Sequence, residues 1–312
     1  MGKVAYLFPG QGSQKVGMGQ DVANQYAVAK EIFARADEKL GFALSTLCFE
    51  GPSDKLKLTV HTQPALLTTS IALYAALNEL IDCVPDFVAG HSLGEYSALV
   101  VAEALSFEDA VFAVRERGQF MEEAVPAGLG TMAAVMGLER ATLADICQTV
   151  SKDDARVELA NLNCPGQIVI SGHQTAVQAA SEQARAAGAR RVIPLAVSGP
   201  FHSSLMEPAA RKLEQTLKDL TFQTAKIPVV ANVSAQIVTE PTVIRQSLVK
   251  QVTSSVLWED TIRFLLAQGV DQFVEIGPGK VLTGLVKKVN RKVKTFNVSD
   301  LASLQQVAEA LQ

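Results

Sequence analysis

Cysteine, histidine and charge are all sparse in this chain. Its 312 residues include four cysteines, Cys48, Cys83, Cys147 and Cys164, far apart and with no C-x-x-C pair. That spacing argues against a disulfide framework and against a zinc site, and leaves the thiols as small core residues. Charged residues make up 19% of the chain and the net charge is −4, so the molecule lacks the overall basic excess of a nucleic-acid binder. No apolar stretch reaches the length of a membrane span. The opening apolar run stops at Pro9, too soon for a signal-peptide core, and Tyr6 stands where a myristoylation signal wants Ser or Thr. Internal repeats and low-complexity tracts are missing as well. Two glycine-rich turns fail as nucleotide motifs. Lys15 replaces the third glycine of a dinucleotide fingerprint that would start at Gly10, and Val281 replaces the Ser or Thr of a P-loop after Gly277-Pro278-Gly279-Lys280. The expectation is a cytoplasmic protein without metal or cofactor, whose 48% hydrophobic residues supply a large core.

What is present has a clear rhythm. Short apolar runs at 4–8, 87–90, 227–233, 272–276 and 293–298 read as buried parallel strands, with helical patterns at 62–80, 107–125, 208–220 and 256–268 between them. The middle of the chain reads differently: strand 131–136, helix 140–150, strands 156–160 and 167–171, helix 175–187, strand 190–197. That β-α-β-β-α-β order is ferredoxin-like, opened by Pro126-Ala127-Gly128 and closed by Ser198-Gly199-Pro200. The fold class expected is α/β: a parallel-sheet core formed by 1–126 and 198–312, interrupted by an inserted α+β subdomain at 127–197. A ligand cleft belongs between the two.

The chemistry starts at Phe87-Val88-Ala89-Gly90-His91-Ser92-Leu93-Gly94-Glu95-Tyr96, an apolar strand running into G-x-S-x-G. Such a turn pushes a serine hydroxyl out between strand and helix, with the helix N-terminus aimed at any oxyanion that forms there. Ser92 needs a base, and the choice is among His61, His91, His173 and His202. His91 points to the opposite side of the turn, and His61 and His173 precede helices as caps or surface residues. His202, on the loop after the insertion, returns to the main domain and is the expected general base and acid. No Asp or Glu stands out as a third triad member; a backbone carbonyl can orient the imidazole instead. On the helix at 107–125, Arg117 shares the inward stripe of Val114 and Met121, while Arg115 falls on the charged face with Glu108 and Glu122. An inward guanidinium either pairs with an internal carboxylate or awaits a ligand's. Phe8-Pro9-Gly10-Gln11-Gly12 supplies a turn whose N–H groups can complete an oxyanion hole.

Taken together, Phe8-Pro9-Gly10-Gln11-Gly12, Gln63-Pro64-Ala65, the Gly90–Glu95 turn, Arg117, Phe201-His202-Ser203 and Glu275-Ile276-Gly277-Pro278-Gly279-Lys280 resemble the malonyl-CoA:acyl carrier protein transacylase family along essentially the whole chain. The resemblance implies an α/β-hydrolase-like core and a Ser92 malonyl ester formed from malonyl-CoA, a substrate and no cofactor. The acyl group then passes to the phosphopantetheine thiol of holo acyl carrier protein for fatty acid biosynthesis. It implies His202 as proton shuttle, the N–H groups of Gln11 and Leu93 as oxyanion hole, and Arg117 as clamp on the malonyl carboxylate. It further implies the carbonyl of Gln251 as the orienter of His202, Phe201 beside the base as a mark of malonyl over bulkier units, and Gln63 and Asn163 as pocket residues. Arg190, Arg191, Lys280, Lys287 and Lys288 offer a local positive field for polyanionic coenzyme A and carrier protein; a solvated charged surface is the other reading. The rivals are a lipase- or esterase-like hydrolase, a non-catalytic carrier-binding scaffold and a polyketide loading acyltransferase. A monomer is expected.

Overall fold

The computed structural model describes residues 2–311. Ten strands occur among them: β1 (Lys3–Phe8), β2 (Phe87–Gly90), β3 (Gly130–Met136), β4 (Val157–Cys164), β5 (Gln167–His173), β6 (Arg191–Pro194), β7 (Val229–Val230), β8 (Ile237–Val238), β9 (Val270–Ile276) and β10 (Lys294–Val298). The larger sheet has the order β10-β9-β1-β2-β7-β8. Every pairing in it is parallel except β7 with β8, so the sheet is mixed at one edge. Its central strands are apolar on both faces because helices cover both: Ala5, Tyr6, Leu7, Phe8, Val88 and Ala89 are all buried.

The middle of the chain forms a second, antiparallel sheet of order β4-β5-β3-β6, with helices Arg140–Val150 and Gln174–Ala186 against it. That is the ferredoxin-like order expected. Its own small core gathers Val135, Leu143, Ile170, Val177 and Ala180.

Two expected strands are shorter than the apolar runs suggested. The run at 227–233 yields only β7, because Asn232 leaves the ladder to bond the turn at Ser92 with its side chain. The run at 190–197 yields only β6, which stops at Pro194, a residue without an N–H to give a ladder.

Helix packing places the residues of the later site. Helix Thr59–Leu80 carries Pro64 in its second turn, so the Val60 carbonyl loses its usual i+4 donor. Arg115 fills the gap: its Nη1 donates to Val60 O (2.8 Å) and meets His61 Nδ1 (3.0 Å). Arg115 is therefore half-buried against the neighbouring helix rather than on an outer charged face, and His61 lies inside its helix instead of before it. Helix Phe107–Glu123 approaches closely because Gly118 has no Cβ; one would fall 2.9 Å from Thr59 O and Val60 Cα. That close passage brings Gln63 on one helix to Arg117 on the other.

Candidate active site

Ser92 sits between β2 and the helix Gly94–Val101 with φ 52°, the left-handed conformation that an L residue adopts only at a cost. The surroundings hold it there. Asn232 Oδ1 accepts from Ser92 N (2.7 Å) and Asn232 Nδ2 donates to Gly90 O (2.7 Å), stapling both sides of the turn. Gly94 must lack a side chain because a Cβ there would fall on the carbonyl of Phe8.

The serine faces His202. Ser92 Oγ lies 2.8 Å from His202 Nε2, and His202 Nδ1 lies 2.9 Å from the carbonyl of Gln251. A carbonyl only accepts, so Nδ1 carries the proton, Nε2 is the acceptor and the serine hydroxyl donates to it. His202 is itself at φ 57° and buried. Burial, and then the neighbouring Arg117 charge, push its pKa down to about 3. The imidazole is a neutral base at any ordinary pH. His91 faces away, its Nε2 2.9 Å from Asn163 Oδ1, and His173 caps nothing with its ring, which accepts from Arg156 N (2.9 Å).

Arg117 is 1% exposed, and burial lowers its pKa. Nη1 donates to Gln63 Oε1 (2.7 Å), and Nη2 donates to Gln251 Oε1 (2.9 Å) and Ser92 Oγ (3.0 Å). All three acceptors are neutral, and no ion pair among the described residues includes Arg117. The choice left open by the sequence is thus decided in part: no internal carboxylate touches this guanidinium.

Two adjoining cavities surround the serine. The inner one, about 120 Å³, is lined by Gln11, Ser92, Leu93, Arg117, Phe201 and His202 among others. The outer one, about 270 Å³, runs past Gly10, Asn163, Gln167, Val281 and Leu285. Gln11, His91, Asn161 and Leu195 border both, which makes them one passage. Gln63 stands behind Arg117, and Asn163 lies on the outer cavity. The backbone N–H groups of Gln11 and Leu93 have no acceptor among the described residues. A larger hollow of about 450 Å³, between helices Glu207–Lys218 and Pro241–Gln251, is lined by surface charges and holds neither serine nor histidine.

The basic residues separate on inspection. Lys288 is exposed and its Nζ donates to Gln167 Oε1 (2.8 Å), at the rim of the outer cavity. Gln167 pairs with Met136, and Met136 with Arg191, so Arg191 lies two strands across the smaller sheet from Gln167, with Arg190 beside it. Exposed Lys280 precedes Val281 at the cavity wall. Lys287 instead donates to Val293 O (2.6 Å), turned onto the backbone that follows its own helix. Sequence reasoning passed over Asn232, Glu95, Asn161 and the side chain of Gln251. An Asn or Gln carries no periodic signal; Glu95 alone had one, as a buried acid on an apolar helix.

A serine on a strained elbow at the C-terminal end of a central strand, facing a histidine, is the arrangement of a serine-dependent acyl-transfer enzyme. Residues 5–309 match the acyl transferase domain family. The chain is 54% identical over 312 residues to a malonyl CoA-acyl carrier protein transacylase of Bacillus subtilis (strain 168), covering 100% of this chain and 98% of that protein. An acyl carrier protein S-malonyltransferase from Vibrio cholerae superposes with a TM-score of 0.96 at 46% identity, over 98% of this chain and 99% of that one. A malonyl-transacylase solved in complex with a type II PKS acyl-carrier protein superposes with a TM-score of 0.96 at 43% identity, over 99% of both chains. The chain belongs to the malonyl CoA-acyl carrier protein transacylase family.

Proposed function

We propose that this enzyme moves a malonyl group from malonyl-CoA to the phosphopantetheine thiol of holo acyl carrier protein, in two half-reactions through an ester on Ser92. The observation that carries the reading is Arg117, a buried cation beside the nucleophile with only neutral partners. A hydrolase of simple esters has no use for it; a substrate ending in a carboxylate does.

In the first half-reaction Ser92 Oγ attacks the thioester carbonyl as its proton passes to His202 Nε2. The oxyanion is held by the N–H groups of Gln11 and Leu93. Collapse breaks the C–S bond, and the departing thiolate takes the proton from His202. In the second half-reaction the carrier thiol gives its proton to His202 and attacks the ester, and Ser92 recovers the proton as it leaves. The Gln251 carbonyl keeps Nδ1 protonated throughout, the part an acidic triad member plays elsewhere. Arg117 turns from Ser92 Oγ to the malonyl carboxylate, Phe201 limits bulk beside it, Gln63 supports the clamp from behind, and Asn163 borders the passage for the pantetheine arm.

The residues 127–197 form the inserted subdomain and 1–126 with 198–312 the catalytic core. Lys288, Arg190, Arg191 and Lys280 meet the acidic carrier at the rim, with Lys287 contributing less. The enzyme is a cytoplasmic monomer feeding fatty acid biosynthesis; no helix among the described residues is long and apolar enough to cross a membrane.

Intact mass tests the reading. Malonyl-CoA should leave a malonyl adduct on Ser92 that persists in water and moves to added holo carrier protein. An adduct lost to water before carrier is added would mean a hydrolase, and no adduct would overturn the substrate. Carriers of fatty acid and polyketide type, offered in turn, decide which the enzyme serves.

A further inference from the structure

The reaction as described leaves one buried acid beside the nucleophile without a task. Glu95 stands in the first turn of the helix Gly94–Val101, 2% exposed and three residues beyond the nucleophile. Its Oε2 accepts from Asn232 N (3.0 Å) and from Gln251 Nε2 (2.8 Å). Neither Glu95 nor Arg117 enters an ion pair among the described residues, although each feels the other's charge.

The side chain of Gln251 lies between them. Nε2 donates to Glu95 and also to the carbonyl of Ser92 (3.0 Å), while Oε1 accepts from Arg117 Nη2 (2.9 Å). Both partners of Nε2 are acceptors, so turning the amide over would set oxygen against oxygen on one side and N–H against N–H on the other. Glu95 and the Ser92 carbonyl therefore dictate that an amide oxygen faces Arg117. Gln63 Oε1 does the same from the other side. The guanidinium is gripped by two amide oxygens, which aim it without cancelling its charge. A carboxylate in either place would take the bidentate face and neutralise it.

We propose that Glu95 and Gln251 are positioning residues that act through Arg117: the Gln251 amide holds the guanidinium one side chain away from the buried Glu95 carboxyl, so that the cation is aimed yet open to a substrate carboxylate. This rests on the acyl-transfer reading above and adds to the Gln251 carbonyl, which serves His202, a separate task for the same residue's side chain.

The swap E95Q/Q251E tests it. Both variants together keep the net charge and the atom count of the pair while moving the carboxylate into contact with Arg117, and the main-chain carbonyl at 251 is kept. Rates of Ser92 acylation by malonyl-CoA and acetyl-CoA, read by intact mass, give kcat/KM for each. The malonyl-to-acetyl ratio should fall by about tenfold to a hundredfold, the worth of one charged hydrogen bond lost to the substrate. A merely structural role would slow both substrates alike, and a ratio equal to that of the wild type overturns the proposal. If the swap fails to fold, Gln251→Met decides. It keeps the volume and the carbonyl but removes the amide, and again the ratio must fall by about tenfold or the proposal is wrong. A wild-type enzyme that shows no malonyl preference at all overturns the functional reading and this inference with it. A preference that survives in the variants overturns the inference alone.

Discussion

Arg117 and Lys288 each turn one positive charge toward the same passage, from opposite ends and under opposite rules. Arg117 is sealed from water and aimed by Gln63, Gln251 and Ser92, so no solvent screens its charge. Lys288 is exposed and held by one side-chain amide at the rim of the outer cavity. A dry cation costs desolvation, and that cost is recovered only when a matching anion arrives, so it discriminates between substrates. A wet cation costs little and discriminates little; it raises the rate of encounter with an acidic partner. On the function proposed above, the inner charge serves selectivity and the outer charges serve recruitment.

The largest effect that bears on this contrast is at the chemistry both charges serve. Ser92→Ala should lower transfer by about 10⁶-fold, the usual scale for a lost serine nucleophile, while malonyl-CoA still binds. Residual transfer within a hundredfold of wild type would place the nucleophile elsewhere.

Next is the inner charge. Arg117→Ala should cost about 2–5 kcal/mol in kcat/KM for malonyl-CoA, while acetyl-CoA loses far less. Equal losses for the two thioesters would make Arg117 a structural cation and end the contrast.

The same residue shapes the pH profile. A free imidazole is half protonated near pH 6.5, whereas His202 stays neutral down to about pH 3, first through burial and then through Arg117. Acylation by a substrate without a carboxylate, such as acetyl-CoA, should therefore stay level as the pH falls through about 6.5, and Arg117→Ala should draw the acid limb upward. The histidine pKa is lowered in the folded state, so unfolding takes up a proton below its unfolded value. The stability it contributes is present above about pH 6.5 and is lost as the pH falls below that. An acid limb near the free-imidazole value in the wild type would show that the base is wetter than the structure implies.

The smallest effect concerns the rim. Lys288→Glu should raise KM for the carrier protein by about threefold to tenfold, with Ser92 acylation unchanged and the difference shrinking as salt rises. Lys287→Glu should do less to the carrier KM, since Lys287 Nζ is turned onto the Val293 carbonyl. A larger effect at 287 than at 288 would reverse the assignment of the docking face.

Much of this was legible in the chain, for reasons that differ from residue to residue. The elbow at Ser92 is a local steric problem solved within a few residues, so the apolar strand, the two glycines and the helix that follows announce it together. Arg117 betrays itself by falling on the apolar stripe of a 17-residue helix, a matter of period alone. His202 stood out because only four histidines exist and three have poor positions. The β-α-β-β-α-β middle was readable from alternating periods, although β6 proved shorter than its apolar run and β7 shrank where Asn232 left the sheet. Arg115 and His61 were misplaced because the proline gap that joins them belongs to two helices at once.

The sequence by itself determined the serine elbow, the inward cation and the sheet that presents them, since each follows from spacing within one element. Only the tertiary structure decided what those groups would touch. Asn232 reaches the Ser92 turn across 140 residues, and Gln251 reaches Glu95 across 156 and Arg117 across 134. Those partners are uncharged amides that follow no period, and their bonds exist only after the sheet, the insertion and the helix Pro241–Gln251 have converged. Whether the buried guanidinium would be neutralised or left open for a ligand rested on that convergence, because charge compensation depends on distance in space and not on distance along the chain.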